Sequence, residues 1–202
     1  MTTSSDDVID TLAGITAGSP LDGVRRARPD TRSHAQAGYD ELFTAAPAGP
    51  SAAERQAVAA FVAVLHAVDP DSDPAAAHYR TLLAATDATL AHRIDRLARA
   101  ARTTGPYGAY PASTVLAAEN TDGLRFTVPG DDRPLLGERL AAALDQAHLL
   151  VFRPREAGAD DLAALQRAGW APTEIVTVTQ LVGFLAFQLR LVTGLRTLKE
   201  LV

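Results

Sequence analysis

Residues 175–198 carry apolar side chains on nearly every face of the helix that their composition dictates, and no other stretch constrains the chain as much. A surface helix offers a core one apolar stripe, whereas a helix apolar all round has to be covered on several sides. The rest of the chain must therefore wrap this segment, and a second subunit is expected to complete the cover. Pro172 stands where a first-turn proline belongs. The uncharged run within this helix, residues 175–189, is shorter than the ~20 apolar residues of a membrane span. A core or interface helix is expected, with no membrane partner.

Elsewhere Ala and Leu dominate, β-branched alternation is scarce, and Gly and Pro gather between the apolar runs, which reads as an all-α protein. The patterns predict helices over 6–15, 22–28, 30–43, 51–68, 75–83, 87–102, 137–151 and 160–167, ahead of the last one. Ser51 and Glu54 have the spacing of a capping box, so a helix should start there. The run Asp69-Pro70-Asp71-Ser72-Asp73-Pro74 should break that helix, and Gly169 is placed to end a later one. Connectors are predicted at 45–50 and 105–134, the second with a short extended piece at 124–128.

The chain of 202 residues has no cysteine, which removes disulfides, zinc-thiolate sites and every thiolate reaction. A net charge of -5, without a Lys/Arg block interleaved with aromatics, argues against nucleic acid. The polar, acidic start has no signal-peptide pattern, so cytoplasmic residence is expected. There is no phosphate loop, dinucleotide fingerprint, nucleophile elbow or His-Glu-x-x-His, and no cofactor is expected. Asp69, Asp71 and Asp73 imitate the start of a calcium loop, but Pro74 and Arg80 occupy its decisive positions. They are expected to solvate a turn and cap the next helix, and no metal site is expected.

Residues 53–66 resemble the helix that delivers the active-site motif in the alkylhydroperoxidase D and carboxymuconolactone decarboxylase superfamily. Residues 162–170, Glu174-Ile175-Val176, residues 184–190 and Gly194-Leu195 are similar to the C-terminal part of its peroxidase-related members. The Gly-Pro-Tyr-Gly loop at 105–108 resembles a cysteine-poor subgroup. The resemblance implies one helical domain, with an extension (1–50), a first repeat (51–104), a loop (105–134) and a second repeat (135–202), assembled as a homo-oligomer. It also implies a catalytic glutamate, two cysteines and a histidine. Aligned by the helix, Gln56 falls at the glutamate, Val68 and Asp71 at the cysteines, and His78 near the histidine; in the other register Glu54 is the glutamate and His66 falls at a cysteine. Thiol peroxidase chemistry is excluded in both.

His78 beside Tyr79 is then a candidate general base, since an imidazole titrates near neutrality, or alternatively a hydrogen-bonded core histidine. His66 ends a helix, where a cationic ring would suit the helix dipole. Arg190 and Tyr107 are candidates to orient an anionic or hydroxylated ligand; the structural alternatives are an ion pair or a reach to solvent for Arg190, and packing beneath the loop for Tyr107. Gln56, which does not titrate near neutral pH, can line a pocket without relaying protons. His34, His92 and His148 show no ligand spacing. Two functions follow: a small-molecule-binding or cofactor-free acid/base protein, or a non-catalytic partner of a cysteine-bearing peroxidase-like paralogue.

Overall fold

Local capping chemistry sets most of the helix starts. The computed structural model describes residues 7–44 and 49–201, so residue 6 and residues 45–48 of the expected elements lie outside the described residues. Asp7 caps α1 (Val8–Ala13) and Ser19 caps α2 (Pro20–Arg26), and α3 follows at Pro29–Phe43. Ser51 and Glu54 form the expected capping box on α4 (Ala52–His66). Asp73 caps α5 (Pro74–Thr86), and Asp87 closes α5 while capping α6 (Ala88–Ala100). A single turn, α7 (Arg133–Leu136), precedes α8 (Glu138–Phe152) and α9 (Ala159–Arg167). The long α10 spans Pro172–Lys199.

The protein is all-helical, and no strand is present among the described residues. The piece expected to be extended at 124–128 is coil; its Val128 is buried and donates its N–H to Asp145. α4 stops at His66 rather than reaching Val68, because Ala67 turns extended and leaves Val68 in solvent.

α4 is the central element, packed against α3, α5, α6, α8 and α10, and its residues 55–65 are all buried. α10 packs against α1, α3, α4, α8 and α9. It is the one helix among the described residues long and apolar enough to cross a bilayer, a test that core helices also pass. Leu185 and Leu195 are buried, Phe184 and Leu191 are half-buried, and Phe187 stays 47% exposed.

One arginine ties three helix starts together. Arg139 Nε donates to Glu54 at 2.6 Å, its Nη2 donates to Glu174 at 2.7 Å, and its guanidinium lies 3.9 Å over the Trp170 ring. Both glutamates also accept backbone N–H groups at the starts of their helices, Glu54 from Ser51 and Glu174 from Ala171. Gly169, at a φ of 94°, ends α9 in a left-handed turn that a side chain would strain, and turns the chain toward Trp170.

Candidate functional site

The sequence candidates fall into three separate environments. His78 and Tyr79 lie on α5, where Tyr39 of α3 forms a 3.0 Å hydrogen bond with His78 Nε2. The Tyr79 ring meets His78 edge-on at 4.9 Å and lies 5.4 Å from Phe43. Tyr79 is fully buried and donates its hydroxyl to Gln188 Oε1 of α10. Burial pushes the Tyr79 phenol well above its usual range, and burial lowers the pKa of His78. The partner of His78 is thus a phenol 39 residues earlier in the chain, and no local pattern announces such a pairing.

His66 and Arg190 are neighbours. Burial first, and the Arg190 charge second, push the His66 pKa down to about 4, so the cationic ring expected at the end of α4 is neutral near pH 7. Its Nε2 is buried without a hydrogen-bond partner. Arg190 itself is exposed and donates to the Ala186 carbonyl at 3.2 Å, so of its expected fates it reaches solvent. Gln56 is buried on α4 with its Oε1 unpartnered.

Tyr107 is occupied elsewhere. Its N–H donates to the Phe152 carbonyl at 2.7 Å, its hydroxyl bonds to Thr103 at 2.6 Å, and Arg153 lies over its ring. A Cβ on Gly123 would overlap that ring, so the close approach of the loop requires glycine. Packing beneath the Gly/Pro loop accounts for Tyr107.

The aspartates after α4 serve the turn, as expected. Asp69 accepts from Asp71 N and Ser72 Oγ, Asp71 pairs with Arg99 at 2.7 Å, and Asp73 caps α5. No group of three potential metal ligands occurs among the described residues.

A cavity of about 430 Å³ opens between α8, α9 and the 125–127 segment. Its lining includes none of the sequence candidates and no residue of α3, α4, α5 or α10. Two stripes of identical spacing build it: Ala142, Asp145, Gln146 and Leu149 on α8 face Asp161, Ala164 and Leu165 on α9 and Ala168 just past its end. Phe126 and His148 add an aromatic wall, their rings 5.1 Å apart.

The polar groups of the cavity are unequally satisfied. Asp145 accepts from Val128 N at 2.6 Å and from Arg133; burial nevertheless raises its pKa. His148 is 1% exposed and its Nε2 lies 3.0 Å from the Ala101 carbonyl, which can only accept, so Nε2 carries the proton. Burial lowers the His148 pKa, and the neutral ring keeps Nδ1 as an acceptor. Gln146 is 5% exposed and lines the cavity, yet its amide makes no hydrogen bond with any described residue. Its oxygen and nitrogen are accessible at the cavity wall rather than sealed in the core, so both its donor and its acceptor capacity are open to a ligand. Sequence reasoning missed this site, although Asp145 and Gln146 sit among Ala142, Leu144 and Leu149 on the apolar side of an amphipathic helix.

A second hollow, an apolar groove of about 320 Å³, runs along α9 and the start of α10, lined by Leu162, Gln166, Pro172, Ile175, Val176, Thr179 and Gln180. Compared with protein-family models, curated proteins and solved structures, the chain matches none.

Proposed function

We propose that this chain is a cytoplasmic small-molecule-binding protein of the alkylhydroperoxidase D-like helical type, without thiol chemistry, and that its ligand occupies the cavity between α8 and α9. The family part of the reading, with its two repeats, rests on the sequence segments alone. The binding part rests on one observation, the unpartnered Gln146 amide in a cavity whose size suits a small organic molecule. Cofactor-free acid/base chemistry at His78 is a weaker reading, because the Tyr39–His78 pair contributes nothing to that cavity. A ligand-observed NMR fragment screen against the wild-type and Gln146→Leu chains tests the proposal. Hits that bind the wild type and are lost in the variant are expected; an absence of hits, or hits retained equally, refutes it.

A second reading, self-association, is favoured by the outer face of α10. Phe187 protrudes 11 positions after Val176 of the apolar groove, and a Cβ on Gly183 between them would meet nothing within 4 Å. In an antiparallel pair of α10 helices crossing near Gly183, Phe187 of each copy faces the groove of the other, which is the self-complementarity a twofold interface needs. Sedimentation should show a dimer at micromolar concentration and a monomer for Phe187→Asp. A monomeric wild type, or wild type that partitions onto lipid vesicles through this face, overturns the pairing.

A further inference from the structure

The four arginines lining the α8–α9 cavity differ in one respect. Arg125 pairs with Asp161 at 2.9 Å and Glu156 at 3.5 Å; Arg133 pairs with Glu138 at 2.9 Å and with Asp145; Arg153 pairs with Glu156 at 2.6 Å. Arg167 has no counterion among the described residues. The three lining carboxylates, Glu138, Asp145 and Asp161, are each held by one of the other arginines. The polar capacity left over is the Arg167 guanidinium at the rim, the buried and unpartnered Nη1 of Arg153, the Gln146 amide and Nδ1 of His148, beside an apolar wall of Phe126, Leu149 and Leu165.

We infer that the cavity takes a compact apolar monocarboxylic acid, an inference that rests on the assignment of the cavity as the binding site. Guanidinium matches carboxylate geometry with two parallel donors, and an unpaired arginine supplies one positive charge for one negative charge. A phosphate dianion fits less well, because Arg167 is the one lining arginine without a counterion among the described residues and would leave the second negative charge uncompensated in a partly desolvated space. The apolar body of the acid lies against Phe126 and Leu165. Gln146 meets whatever donor or acceptor the body carries.

Matched probes test the class on the full chain: benzoate, 2-naphthoate and indole-3-acetate, each against its primary amide, with phenyl phosphate as the dianion, by isothermal titration. At least one acid should bind roughly tenfold or more tighter than its amide, a difference of about 1.4 kcal/mol, and tighter than phenyl phosphate. Arg167→Gln should erase that preference while leaving amide binding unchanged, and Gln146→Leu should weaken acid and amide together, with both variants melting like wild type. Acid and amide bound alike, phenyl phosphate bound best, or a preference that survives Arg167→Gln overturns the carboxylic-acid class and leaves the cavity as the site. No binding by any probe, or binding indifferent to Gln146→Leu, overturns class and site together.

Discussion

Gln188 and Gln146 are the same residue at nearly the same depth, and their surroundings separate a structural core from a binding cavity. Gln188, wholly buried on α10, accepts the Tyr79 hydroxyl across the α5–α10 contact, although its Nε2 is buried without a partner. Gln146, 5% exposed on α8, accepts and donates nothing among the described residues. The histidines divide in the same way. His66 has a buried Nε2 with no partner, and His78 is held by Tyr39, whereas His148 is oriented by the Ala101 carbonyl and lines a void. Burial lowers the pKa of all three. Burial is therefore no guide to function here; what distinguishes a ligand-facing group is adjacent empty space.

Replacing Gln188 should break the core most severely. Gln188→Ala leaves the Tyr79 hydroxyl unpaired and opens a void, and a loss of about 3 kcal/mol is expected in urea unfolding. A loss no greater than that of Gln146→Leu would remove the distinction between the two regions.

A smaller effect is expected from His66. The unfolded ring takes up its proton near pH 6.5 and the folded ring only at about 4, so the unfolded state binds more protons between these values. The stability that depends on neutral His66 is complete above about pH 6.5 and is lost as the pH falls toward 4. Wild type should lose on the order of 2 kcal/mol more than His66→Leu between pH 7 and pH 4. The comparison with the variant is needed because His78 and His148 shift in the same sense and Asp145 in the opposite sense. Equal losses would show that His66 is protonated in the folded protein as readily as in the unfolded one.

The smallest effect belongs to the cavity itself. Gln146→Leu orphans no protein group, so the stability of the unliganded chain should change by less than about 1 kcal/mol. A loss above that range in thermal unfolding would place Gln146 with Gln188 as a structural amide.

Much of the helical framework is legible in the residues themselves. Ser51 with Glu54, Pro172 at a first turn and Gly169 at a left-handed end each act within one helical turn, and each marks its boundary within a residue or two. The aspartates at 69, 71 and 73 are legible for the same reason, since turn and cap bonds join neighbours. The site is less legible. His78, Tyr79, His66, Gln56, Tyr107 and Arg190 stand out as chemically capable types at motif-like positions, but Tyr107 packs under a glycine and Arg190 faces solvent. Asp145 and Gln146 leave a faint signal, two polar residues on the apolar side of α8. Nothing within α8 shows that α9 stands back from them.

By itself the sequence determined that the chain is helical, where its capped helices begin, and that no thiol chemistry runs on it, because caps, periodicity and the presence of a nucleophile are properties of residues close together or of residue type alone. Tertiary structure alone decided that Tyr39 meets His78, that Tyr79 meets Gln188 from 109 residues away, and that Gln146 and Arg167 face one cavity. These outcomes depend on how whole helices pack. Whether a polar side chain meets a partner or a void is fixed by segments that are remote in sequence.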